Sequence, residues 1–182
     1  MTRSFIIIIQ VFFAVYWIGL SCICSAYAAE SSKEYQLKAG FLVNFVRFIS
    51  WPDNAFASPE ADIVFCVVGD NPFGNALDGV HLKKIGNRHL QVVYVPTLQS
   101  VPPCHLLYVA QSEKKDLVHL SKHIASQPLV AVSDIEGFAE AGGGIEFITQ
   151  NNRLAFIINY TAIKKHDVQL RASLLELAAS VF

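Results

Sequence analysis

Apolar residues recur along this chain in two rhythms, and the change from one to the other marks its elements. Leu37, Phe41, Phe45 and Phe48 follow one another at intervals of three and four, and Leu42, Val46 and Ile49 widen the same stripe. That spacing predicts an amphipathic helix with one face on a core. Lys38 and Arg47 interrupt the apolar residues, which argues against a membrane-spanning helix. Pro52 stops the helix, and Trp51 before it is pushed toward extended geometry. The rhythm then shortens to compact runs: ADIVFCVVGD, HLQVVYV, HLLYVA and PLVAVSD. ADIVFCVVGD is too short for a helix and bounded by turn residues, so it reads as a buried strand, as does PLVAVSD; HLQVVYV and HLLYVA read as two further strands.

The connecting segments carry their own signals. Asp70-Asn71-Pro72 predicts a short helix through Leu77, with Asp70 as its cap and Pro72 in its first turn. Residues 113–126 predict another helix. In AGGGIEFITQNNRLAFIIN, two apolar-rich runs flank Asn151-Asn152, a pair that tolerates positive φ, and a hairpin follows. Helices over Tyr160 to Lys165 and from about Ala172 to Phe182 complete the pattern. Strand and helix alternate through the middle, which predicts an α/β fold: a single three-layer domain, its sheet mostly parallel with an antiparallel hairpin at one edge, and helices on both faces.

The first 28 residues stand apart. Arg3 precedes an apolar run from Phe5 to Leu20 broken by Gln10, and Ala26-Tyr27-Ala28 supplies small residues where a signal peptidase cuts. We expect a signal peptide over residues 1–28 and one domain over residues 29–182, located in the periplasm. An uncleaved anchor is the alternative; acylation at Cys22 or Cys24 fits its flanking residues poorly. The formal net charge is −1. Loss of Arg3 makes the remainder slightly more acidic, which argues against a nucleic-acid partner. Two cysteines outlast the signal, Cys66 and Cys104. In an oxidising compartment an even pair suggests one disulfide, with two buried thiols as the other possibility.

Motifs for catalysis are sparse. VVGDNPFG has the strand-Gly-turn form of an α/β ligand crevice, but neither GxGxxG nor Gly-Lys-Ser/Thr occurs. The AGGGIEF cluster precedes a strand, so it offers no helix N-terminus to an anion and reads as a flexible turn. His119 and His123 are one helical turn apart without the Glu of HExxH, and Ser133 is not in a GxSxG elbow. Cys104 and His105, adjacent in a strand, would face opposite ways. No enzyme activity, metal or cofactor is expected.

The ordered motifs, taken together, resemble the YfiR family of bacterial periplasmic proteins. KAGFLVNF running on to Phe48 and Trp51-Pro52 is similar to the family opening. FCVVGDNPFGNALD, CHLLYVAQSE, PLVAVSDIEGFAEAGGGIEF and RLAFIINYTAIKKHDVQLRASLLELA follow in the family's order. Gly40, Val43, Ser50 and His166-Asp167 depart from the usual residues, and these departures bear on partner contacts more than on fold. The resemblance implies a non-catalytic regulator that binds the periplasmic sensory part of an inner-membrane diguanylate cyclase and represses it, lowering cyclic-di-GMP. It further implies release through an outer-membrane-associated lipoprotein, and a homodimer is expected. Near the carboxy terminus, Asn159, Ile163, Gln169 and Arg171 occupy positions that the family places by a small pocket of partner or ligand contact. Trp51 is a further contact candidate, since aromatics anchor interfaces. Gln169 and Arg171 would share a strand face if that piece is extended. A second functional reading is a periplasmic small-molecule-binding module, signalling to a histidine kinase or transporter through the crevice at Gly69 to Gly74.

Overall fold

A computed structural model describes residues 32–117 and 127–182. The signal segment, His119 and His123 lie outside the described residues. A helix over residues 32–48 (α1) leads directly into a two-residue strand, β1 (Ile49–Ser50). The main sheet then takes β2 (Ile63–Val68), β3 (Lys83–Ile85), β4 (Arg88–Val95), β5 (Leu106–Val109), β6 (Val130–Ser133), β7 (Ile145–Gln150) and β8 (Arg153–Ile158). After these come α2 (Tyr160–Lys164), β9 (Gln169–Leu170), α3 (Ala172–Leu177) and β10 (Ser180–Val181).

Eight strands form one sheet in the order β10-β8-β7-β6-β5-β2-β4-β3. Its centre, from β4 through β2, β5 and β6 to β7, is parallel. The β7–β8 hairpin is antiparallel and turns on Asn151 and Asn152, whose φ values of 52° and 58° are the left-handed geometry anticipated there. The fold is therefore the α/β arrangement predicted. A second hairpin, β3–β4, turns at Gly86 and escaped the sequence reading, because its polar strand KKI shows no apolar alternation.

Successive residues of the central strands feed two cores. Phe65, Val67, Leu106, Tyr108, Val130 and Val132 face α1, while Cys66, Val68, Leu107, Val109 and Ala131 face a second cluster with Leu98, Ile135 and Phe138. A disulfide joins Cys66 to Cys104 within that second core, with Cα atoms 6.1 Å apart. Of the two possibilities for these cysteines, the bridge is the one realised.

Three predicted features differ, and a fourth lies mostly outside the described residues. The buried face of α1 is centred on Ala39, Leu42 and Val46, with Phe45, and continues into Ile49 of β1; Leu37 is 53% exposed, and Phe41 and Phe48 lie at the flanks. No helix follows Asp70: residues 72–77 form turns, and Asn71 Oδ1, not Asp70, accepts from the Phe73 N–H. Residues 111–116 form a 3-10 turn, and most of the helix expected to follow falls outside the described residues. The last helix ends at Leu177, and Ser180–Val181 pairs in parallel with β8, because the open edge of β8 offers its backbone groups a ladder.

Candidate functional site

Two regions carry polar groups in built surroundings, one at each end of α1. At the carboxyl end of β6, Asp134 meets the first turns of the helix. Lys38, 3% exposed, ion-pairs with Asp134 Oδ2 and, at 2.6 Å, with Glu34. The Tyr35 hydroxyl donates to the same Asp134 oxygen at 2.9 Å, and Gln111 Nε2 donates to Oδ1 at 3.1 Å. Burial, and then the Asp134 charge, push the Tyr35 phenol well above its usual range. Glu146, on β7, is also buried; its two oxygens accept from the Gly137 and Ala139 N–H groups and so hold the loop after β6.

These groups line an open cleft of about 660 Å³, together with Glu136, Phe147, Ile148, Thr149 and Leu154. Sequence reasoning missed it. The signals were present as one charged residue inside each of two apolar stretches, Lys38 in the helical stripe and Glu146 in GGGIEFI. A charge there is buried and needs a partner, but the partner comes from another strand and is invisible to local pattern.

The crevice expected at Gly69 to Gly74 is filled at its Gly69 end. Ser112 accepts from the Asp70 N–H at 2.9 Å, and a Cβ on Gly69 would stand 2.4 Å from Ser112 Oγ and 2.9 Å from Glu113 Cγ. The glycine serves close packing of the 3-10 turn against the strand end. Likewise Gly143 is no flexible turn: a Cβ there would fall 2.2 Å from the Phe138 ring.

At the other end of α1, β1 pairs antiparallel with β9, matching Ser50 with Gln169 and Ile49 with Leu170, and the Arg171 N–H donates to Phe48 O. Gln169 and Arg171 are exposed and Leu170 between them is buried, the alternation anticipated for an extended piece. Trp51 follows β1 directly. Its Nε1 donates to His105 O at 3.1 Å and its ring meets the His105 ring edge-on, so the indole is half spent on the fold. Asn159 and Ile163 are placed differently. Asn159 Oδ1 caps α2 through the Ala162 N–H, and its Nδ2 donates to Ala139 O. Ile163 is 2% exposed and packs in the core. Trp51, Gln169 and Arg171 thus come together at one end of the molecule, while Asn159 is taken up in capping α2 and Ile163 in the core.

Among the described residues no cluster of His, Cys, Asp and Glu fits a metal ion, and no helix is long and apolar enough to cross a membrane. No curated protein gives a significant match to the chain. The sequence profile of the YfiR/HmsC-like family, in contrast, matches residues 35–179, from the first turns of α1 to the residue before the final strand. With that span covering all but the edges of the described fold, the chain belongs to the YfiR/HmsC-like family.

Proposed function

We propose that this chain is an exported, non-catalytic periplasmic regulator that binds the sensory part of an inner-membrane diguanylate cyclase and holds it inactive, lowering cyclic-di-GMP. The family match over residues 35–179 carries the reading. In it, residues 1–28 are removed after Ala28 and the remainder acts as a periplasmic domain, which intact mass of the exported protein checks. A mass that retains those residues, or an added lipid, overturns the export step. A homodimer and release by an outer-membrane-associated lipoprotein complete the scheme.

Regulator and nucleotide occupy different compartments, so the effect must pass through the partner's own equilibrium. That equilibrium moves only by the difference in affinity for the partner's two states. Reversing a 99:1 balance takes roughly 5.5 kcal/mol of differential binding. The exposed end formed by Gln169 and Arg171 beside Trp51 is the contact surface of this proposal, with a guanidinium and an aromatic of the kind that anchors interfaces. Asn159 and Ile163 act in it by positioning that end.

Deleting the gene should raise cyclic-di-GMP, and the signal-bearing form should restore it where a form lacking residues 1–28 does not. Arg171→Glu should weaken repression with unchanged thermal stability, since the side chain is exposed. Unchanged cyclic-di-GMP on deletion, with no cyclase recovered from membranes alongside the protein, overturns the reading.

A further inference from the structure

The segment from Trp51 to Ala61 is fastened to the sheet around one residue, His105, which stands just before β5. Its Nε2 donates to Ala55 O at 3.1 Å, its ring stacks on Phe56 with centroids 4.4 Å apart, and its carbonyl oxygen accepts from Trp51 Nε1 at 3.1 Å. No residue of the segment is fully buried. Among the described residues its other side-chain tie is Arg88, whose guanidinium covers the Phe56 ring and donates to Ser58 O and Ala61 O. A stretch with so few buried contacts belongs to the part of a fold that opens first.

We propose that this imidazole is an acid-operated latch: when His105 takes up a proton, the segment lets go of the sheet while the rest of the fold stays intact. On the regulatory reading, the surface around Trp51 is then lost to its partner. The geometry at Nδ1 carries the proposal. That nitrogen accepts from the Val64 N–H at 2.9 Å, and the donor is fixed, because Val64 lies in β2 and its carbonyl accepts from the His105 N–H at 2.8 Å. A proton on Nδ1 would set one N–H against another, so the imidazolium cannot keep the position that the neutral ring holds. Turning the ring away from Val64 also gives up Ala55 O and the Phe56 stack. Those are the segment's own ties.

The charges around the ring offer the imidazolium no other partner. From β4, Arg88 bears on it as a second cation behind Phe56, and Asp62, just before β2, faces His89 at 3.7 Å. Asp53 and Glu60, on the segment itself, are exposed, and from β6 Val130 meets His105 through its backbone N–H. Among the described residues no carboxylate pairs with His105. Burial and the Arg88 charge both favour the neutral ring, so release belongs below about pH 6.5.

Trp51 is the one tryptophan beyond residue 28, so emission from the exported protein, residues 29–182, reports the segment directly. Between pH 7.5 and pH 5 the emission should move to longer wavelength and acrylamide quenching should rise about twofold, with far-UV circular dichroism unchanged. The Cε1–H resonance of His105 should titrate with the same midpoint. His105→Asn, which cannot titrate, should show no change with pH; if its emission is already shifted at pH 7.5, the imidazole is again shown to hold the segment, and the two wild-type midpoints decide the part played by the proton. Emission unchanged down to pH 5, a midpoint apart from that of His105, an identical pH shift in His105→Asn, or loss of circular dichroism in step with the emission overturns the latch. In cells, acidification should raise cyclic-di-GMP with the wild-type protein and not with His105→Asn, and an equal rise in both overturns the consequence for the partner. The spectroscopic readouts need no cyclase, so failure of the latch and failure of the regulatory reading are told apart.

Discussion

His105 shows how one residue can commit a loop. Its Nδ1 accepts from the Val64 N–H at 2.9 Å, which places the proton on Nε2, where it donates to Ala55 O at 3.1 Å. The ring stacks on Phe56 with centroids 4.4 Å apart, and Arg88 covers the other side of Phe56 at 3.6 Å. Trp51 meets the same imidazole from β1. Burial, and to a smaller extent the Arg88 charge, lower the His105 pKa below the ordinary imidazole value, although the hydrogen bond to Ala55 O acts the other way. The folded state therefore takes up the proton later than the unfolded chain. Its contribution is fully present above the unfolded value of about 6.5 and is lost progressively as pH falls below it toward the folded pKa. Denaturant midpoints should drop between roughly pH 7.5 and pH 5, and His105→Asn, which keeps an acceptor near Nδ1 but cannot titrate, should show a smaller drop. An identical drop in the variant would assign the pH dependence elsewhere.

At the scale of elements, α1 is held by aromatic packing against the hairpin. Phe45 stacks on Phe147 at 5.7 Å and meets Phe156 edge-on at 5.0 Å, and Phe41 touches the same two rings. Phe45→Ala should cost about 3–5 kcal/mol by chemical denaturation, since it opens a cavity between helix and sheet. Phe41→Ala, at the flank, should cost less. Asn159 gives a second element-scale test, because its two hydrogen bonds tie the start of α2 to the loop after β6. Asn159→Ala should destabilise by about 1–2 kcal/mol through the lost cap, and any loss of repression should follow that destabilisation and disappear at lower temperature. Loss of repression at unchanged stability would instead make Asn159 a direct contact.

For the whole molecule, the Cys66–Cys104 bridge joins β2 to the entry of β5 across 38 positions of sequence that include the β3–β4 hairpin. Closing so long a loop limits the unfolded chain, and opening it should cost about 2–4 kcal/mol. A fall in thermal midpoint on reduction, matched by a Cys66→Ala/Cys104→Ala double variant, checks this. Alkylation of both thiols in unreduced, denatured periplasmic protein would contradict it. The parallel centre of the sheet also fixes where chemistry can sit, since the carboxyl ends of β5 and β6 deliver Gln111 and Asp134 to one cleft while their other ends deliver His105 to the Trp51 side.

The sequence by itself determined the strand runs, the Asn151-Asn152 hairpin, the α/β alternation and the alternation of Gln169, Leu170 and Arg171, because each depends on local backbone preference and on periodicity within a single segment. It also contained the family resemblance, which is a property of residue order. Tertiary structure decided the rest. Leu37 turned outward and Lys38 inward because the helix settled its Leu42–Val46 face on the sheet and Asp134 stood ready to pair with the ammonium. The end of the chain became a strand because β8 had an unfilled edge. The cleft is likewise invisible along the chain: Lys38 and Asp134 stand 96 positions apart, and only packing sets which buried charge meets which partner.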